Sequence, residues 1–265
     1  DTVHILPFFP STADRGFAPV RYDQVDENFG NWDDVREIRK NYRLVADFMI
    51  NHISRYSDYF KDFVQHKDQS KYRDMFIQYK DFWDQGEPTE EQVDLIFKRK
   101  PRAPYTEVEF ADGSKEKIWC TFSEDQIDLD FRTEITRAYI KNTLESLCEK
   151  GISTIRLDAF AYTTKYKNTS CFFVEPYIWD VLDYCRKILE PYGVEILPEL
   201  HGHYGKRLEI AQRGYLVYDY ALPMLVLYSL YSGESRRLAD WLRICPHKQV
   251  TTLDTHDGIG VIDVQ

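Results

Sequence analysis

Apolar residues in this chain alternate between two arrangements: short continuous runs, and longer stretches with helical spacing. His4-Ile-Leu-Pro-Phe-Phe9 predicts a strand close to the start, and Leu44-Val-Ala-Asp-Phe-Met-Ile50 predicts a buried one. Between them, Asn31 has the side chain to cap a helix running through Val35 and Ile38. Ile135, Tyr139, Ile140, Leu144 and Leu147 recur at helical spacing over residues 134–150, and Gly151 supplies the stop. Pro176 opens a further helix through Ile178, Val181, Leu182, Cys185 and Leu189. Strands are expected at 151–158 and near 195–200, 216–220 and 249–254. Strands that are apolar on both faces, alternating with helices, predict a parallel α/β fold.

Residues 53–131 break this rhythm. They are charged and aromatic, lack the alternation and carry a basic loop, Lys98-Arg-Lys-Pro-Arg102. They read as an inserted subdomain, with parallel α/β segments at 1–52 and 132–265. Neither an internal repeat nor a low-complexity stretch interrupts the pattern.

The 265 residues are 43% apolar, enough to fill a sizeable core. The formal charge of −10, from 44 acids against 34 bases, argues against nucleic acid or an anionic membrane as partner. The longest apolar stretch, residues 220–231, is too short to span a bilayer and contains Pro223. Five scattered cysteines without CxxC spacing suit a reducing, cytoplasmic compartment.

The chemistry lies at the ends of the predicted strands. In Gly-Ile-Ser-Thr-Ile-Arg-Leu-Asp over 151–158, Arg156 and Asp158 are two apart and share a strand face. A guanidinium beside a carboxylate favours its ionised form, as a carboxylate nucleophile requires. Glu199 follows Pro198, and Asp257 follows His256, each at the end of a strand-like run. Any one of these acids is by itself an ordinary ion-pair or turn residue. Three of them at equivalent strand ends point to a barrel of parallel strands with its active site on one face. Two such acids can cleave a glycosidic bond, one as nucleophile and one as proton donor. Asp47 is read as bonding locally, and Asn51 and His52 as holding sugar hydroxyls. His201 and His203 form a weak metal pair without a third ligand at convincing spacing. Gly258-Ile-Gly260 lacks the third glycine of a dinucleotide loop.

Four segments together resemble the alpha-amylase superfamily of retaining, glycoside-active enzymes. They are Asp47-Phe-Met-Ile-Asn51-His52, Ile155-Arg156-Leu-Asp158, Glu195-Ile-Leu-Pro-Glu199 and Leu253-Asp-Thr-His256-Asp257. Their order and spacing match the signatures of that family. The segments around Asp14, Phe17 and Arg102, with Asp128-Leu-Asp130, resemble its sucrose-phosphorolysing branch. The resemblance implies a (β/α)8 TIM barrel, here an incomplete fragment holding strands 2–7 with an inserted domain B. The first strand, the eighth strand and a C-terminal β-domain would be absent. It also implies roles. Asp158 would be the nucleophile, Glu199 the acid and base, and Asp257 the stabiliser of the transition state. Arg156, His52 and His256 would fix the glucosyl ring and the nucleophile. Asp14 would contact the far hydroxyls, Phe17 would lie against the ring, and Arg102 would bind phosphate. Sucrose and inorganic phosphate would be the substrates, with no metal or cofactor, and the family allows a homodimer. Sucrose 6'-phosphate, glucosylglycerate and glucosylglycerol are alternative donors. A metal-dependent hydrolase and a non-catalytic binding protein are more distant alternatives.

Overall fold

The computed structural model describes residues 1–260. The chain divides into two compact units, Asp1–Val194 and Glu195–Gln265. The first runs β1 (Thr2–Ile5), α1 (Trp32–Arg39), β2 (Arg43–Met49), β3 (His52–Ser54), α2 (Asp58–His66), α3 (Tyr79–Phe82) and α4 (Glu90–Leu95). It continues with β4 (Tyr105–Glu109), β5 (Lys115–Trp119), β6 (Gln126–Asp128), α5 (Glu134–Glu149), β7 (Thr154–Asp158) and α6 (Tyr177–Leu189). β1 and β7 flank β2 in parallel. The β2–β7 register sets Asp47 opposite Arg156 and Met49 opposite Asp158.

The expected helices form where their signals lie. Asn31 accepts from the amide of Asp33, while the side chain of Asp34 reaches back to the Asn31 amide. α5 ends at a left-handed Gly151, whose carbonyl takes the Arg39 guanidinium at 2.8 Å. A side chain at this glycine would collide with that same guanidinium. The first strand is shorter than expected. It stops at Ile5, because Pro7 has no N–H to give a ladder and Phe8 and Phe9 turn into the core.

Between β3 and β6 the chain pairs antiparallel. β3 pairs with β6, and β4 with β5. Ile77, Tyr79, Phe82, Trp83, Ile96, Trp119 and Cys171 form a mainly aromatic core here, with Tyr105 against it.

The second unit runs β8 (Glu195–Pro198), α7 (Tyr204–Gln212), β9 (Val217–Asp219), α8 (Ala221–Ser232), α9 (Arg236–Ile244) and β10 (Gln249–Thr251). β9 and β10 are parallel. Leu197, Tyr218 and Tyr220 form a small core with Leu216 and Val250. The buried Asp219 carboxylate accepts from the Trp241 indole, the Gln249 amide and the Leu222 backbone. The apolar run at 220–231 folds largely as α8. Among the described residues no helix is long and apolar enough to cross a membrane.

Candidate active site

The C-terminal ends of β2 and β7 bring buried charges together. Arg156 and Asp158 share one face of β7, and both are buried. Arg156 Nη1 donates to Asp158 Oδ1 at 3.2 Å and also to Asp47 Oδ1. The second Asp47 oxygen pairs with His4 Nε2 at 2.8 Å. Asp47 therefore does not bond locally, as its sequence context suggests. Its partners lie 43 and 109 residues away, brought in by the parallel register. Full burial of this carboxylate requires such pairing. Just after Asp158, Ala159 adopts a left-handed conformation with φ 53°, turning the chain sharply into a short 3-10 turn, Phe160–Thr163.

The loop after β1 covers this cluster. The Arg156 guanidinium lies 5.6 Å from the centroid of the Phe17 ring. The Phe17 carbonyl accepts from His52 Nε2 at 2.8 Å and from Gln126 Nε2 at 3.1 Å. Gln126 also donates to Asp14 Oδ2 at 3.1 Å. The loop reaches this position through left-handed residues Asp14, Arg15 and Gly16. Gly16 sits against Pro7, where a Cβ would lie 2.7 Å from the Pro7 carbonyl oxygen. Asp14, Phe17, His52, Arg156 and Asp158 are thus joined through direct contacts, with Gln126 and Asp47 as the links that sequence reasoning missed. His52 is buried, and burial pushes its imidazole below the ordinary value, against the opposing pull of Asp128.

Arg102 lies apart from that network. It is exposed, and its guanidinium donates to the carbonyls of Tyr105 at 2.6 Å and Ala103 at 3.3 Å. It borders a small cleft lined also by Lys98, Arg99, Lys100, Thr121 and Tyr162. Tyr162 stands 5.1 Å from Phe122, and Phe122 stands 5.3 Å from His52, ring to ring. Aromatic contacts therefore run from the basic loop to the His52 cluster.

In the second unit, β8 ends at Pro198, so Glu199 leaves the strand as the sequence suggests. Its Oε1 lies 3.4 Å from His201 Nε2, and the His201 ring stacks on Tyr220 at 4.3 Å. Asp257 joins them: Glu199, His201 and Asp257 place one donor atom each within 4.8 Å of one another. His256 Nε2 is 3.5 Å from Asp257 Oδ2. This trio offers oxygen and imidazole donors of a kind that bind either sugar hydroxyls or a divalent cation. His203 is outside it. Its Nδ1 accepts from the Gly205 amide and caps α7, so the His201–His203 metal pair does not form. His201, by contrast, is a partner for Glu199 that its sequence spacing alone does not single out.

All five cysteines are free, and burial pushes the thiols of Cys120 and Cys185 up to about 12.

A parallel α/β sheet with a guanidinium-braced carboxylate at a strand end defines a class, and comparison with known proteins agrees. Residues 1–175 match the alpha-amylase catalytic domain, and the chain belongs to that family. More narrowly, it is 56% identical over 263 residues to the sucrose phosphorylase of Streptococcus mutans, covering 99% of this chain and 55% of that protein. It is 43% identical to the glucosylglycerol phosphorylase of Marinobacter adhaerens, covering 99% of this chain and 54% of that protein. The crystal structure of sucrose 6F-phosphate phosphorylase from Thermoanaerobacter thermosaccharolyticum superposes with a TM-score of 0.95 at 39% identity, covering 98% of this chain and 54% of that one. The chain spans about half the length of the curated relatives it matches.

Proposed function

We propose that this protein catalyses phosphorolysis of sucrose to α-D-glucose 1-phosphate and fructose by double displacement. The observation that carries the reading is Asp158, held at the end of β7 by Arg156, which Asp47 anchors in turn. A guanidinium beside the carboxylate favours its ionised form and orients it, which suits a nucleophile. Asp158 attacks the anomeric carbon while the bond to the fructosyl oxygen breaks, and Glu199 gives that oxygen a proton. Phosphate then attacks the glucosyl-enzyme, Glu199 takes a proton from it, and the bond to Asp158 breaks. Two inversions restore the α configuration. Asp257 and His256 grip ring hydroxyls, Asp14 takes the far ones, and the ring lies on Phe17. Arg102 pairs with phosphate.

Identity is higher to the sucrose phosphorylase of Streptococcus mutans than to the glucosylglycerol and sucrose 6F-phosphate phosphorylases named above, which favours sucrose as donor. Residues 53–131 are assigned as an inserted domain. The antiparallel pairs β3–β6 and β4–β5, distinct from the parallel sheet, support that assignment. The proposal extends to a reaction without metal or organic cofactor and to a cytoplasmic setting, which free thiols fit. It also includes a homodimer, which sedimentation tests.

The deciding experiment follows sucrose and inorganic phosphate by NMR with the full-length protein. Phosphate-dependent appearance of the α-anomer is expected. A β-phosphate product, or turnover that tracks an added divalent cation, would overturn the reading.

A further inference from the structure

Lys165 follows the 3-10 turn after Asp158, and the proposed chemistry makes no use of it. Its side chain is 2% exposed, a costly place for an ammonium unless every hydrogen is bonded. Three acceptors meet that demand. They are Asn51 Oδ1 at 2.7 Å, Asp128 Oδ2 at 2.8 Å and the Tyr162 carbonyl. They come from three segments: the end of β2, the end of β6 and the turn after β7. Asp128 is itself locked, accepting from the Thr121 amide at 2.9 Å and the Thr121 hydroxyl at 2.5 Å.

The direction of these bonds has a consequence at Asn51. An ammonium can only donate, so the Asn51 atom facing it is the carbonyl oxygen. The Asn51 amide nitrogen then faces His52 Nδ1, at 3.4 Å. Nδ1 must therefore accept, which leaves the ring hydrogen on Nε2. The Phe17 carbonyl, an acceptor 2.8 Å from Nε2, can take that hydrogen, while the Gln126 amide nitrogen, 3.2 Å from the same atom, gives its own hydrogens to Asp14 and to the Phe17 carbonyl. We infer that Lys165 is a positioning residue for His52: by fixing the Asn51 amide it selects the Nε2–H imidazole, which holds the Phe17 backbone and so the ring against Arg156. This rests on the proposed reading that the glucosyl ring lies on Phe17.

The charges facing His52 are Asp128 across the β3–β6 pair, Asp14 from the covering loop, and Lys165 itself. The two acids favour the imidazolium, while Lys165 and burial disfavour it. Losing the ammonium leaves Asp128 unopposed, so His52 gains a proton more readily.

The test uses 15N-labelled histidine in the full-length protein, with the tautomer read from long-range nitrogen–proton correlations, together with the pH profile of kcat/KM. Wild type should show the Nε2–H form. Lys165→Met should mix the tautomers and move the acid limb up by about one pH unit. Lys165→Arg, which keeps the cation, should retain both properties. Adding Asp128→Asn to Lys165→Met should bring the limb back down. An Nδ1–H tautomer in wild type overturns the inference even if no variant folds. So does a folded Lys165→Met with both properties unchanged. A correct tautomer in a protein that does not phosphorolyse sucrose would sink the proposed function and leave this inference standing.

Discussion

The strand ends of the two units carry their charges in opposite ways. At the ends of β2, β6 and β7, Asp47, Arg156, Asp128 and Lys165 are almost wholly out of water, and each has a partner of opposite sign. In the second unit the Asp257 side chain is 54% exposed, and the Glu199 side chain, 10% exposed, lies beside the imidazole of His201. A buried charge must be answered by fixed partners, so the first arrangement is rigid. An acid that gives up and recovers a proton in each cycle needs the opposite, an environment in which both forms are tolerable. A guanidinium beside Asp158 and an imidazole beside Glu199 fit an aimed nucleophile in one unit and a proton carrier in the other.

The largest effect should come from the rigid side. Asp158→Asn removes the attacking oxygen, and sucrose turnover should fall by at least about 10⁴-fold with no trapped glucosyl-enzyme in mass spectra. Near-normal turnover would dissolve the contrast altogether. Glu199→Gln should slow sucrose by about 10²- to 10⁴-fold yet spare a glucosyl donor with a good leaving group, which needs little protonation. Equal losses on both donors would assign Glu199 to binding instead.

Arg156→Met strands the buried Asp47 beside His4 alone and leaves Asp158 without its bracing guanidinium. Loss of about 3–5 kcal/mol of stability is expected in denaturant titration. The comparable removal of the exposed partner, His256→Ala, should change stability by less than about 1 kcal/mol. Similar values for the two would mean that burial does not distinguish the units.

Arg102→Ala should lower phosphate use about tenfold while leaving hydrolysis and transfer to fructose nearly unchanged, because only phosphate exploits a guanidinium's paired donors. Its bonds to the Ala103 and Tyr105 carbonyls give the competing outcome. If Arg102 only ties the loop together, all three rates fall alike.

The smallest effect is on pH. His52 is buried with its folded value held below the ordinary 6.5, so the unfolded state binds the proton first as pH falls. The stability it contributes is therefore complete above about pH 6.5 and is lost as pH falls through the depressed folded value. Melting temperature against pH should slope less steeply over this window in His52→Gln than in wild type. Parallel slopes would mean that other groups carry the acid sensitivity.

The parts that were legible in the sequence are those written locally. Asn31, Gly151 and Pro176 mark helix ends by their own side-chain or backbone chemistry. The Ile155–Asp158 run shows its face by alternation alone. The first strand ends sooner than its apolar run suggests, because a run that contains a proline cannot keep its ladder through that residue. What escaped was joined only by folding. The link from Asp47 to Arg156 depends on strand register, and Gln126 meets Asp14 only where an antiparallel pair returns to the parallel sheet. Lys165 stands among tyrosines and threonines with nothing nearby to mark it as buried, and its partners are set by tertiary structure. The one signal that could have raised it is the presence of Asp128 in a segment already singled out for its resemblance.

The left-handed Ala159 also bears on how this chain can vary. A non-glycine residue in that conformation gives up roughly 1–2 kcal/mol, and a branched side chain gives up more. The direction of the Asp158 carboxylate is thus guarded by a backbone angle that few side chains can adopt. Mutational drift at this position is confined to a narrow channel: glycine passes, alanine is tolerated, and valine or isoleucine would have to unwind the turn. A saturation library at Ala159, sorted for folded protein, would show how narrow that channel is.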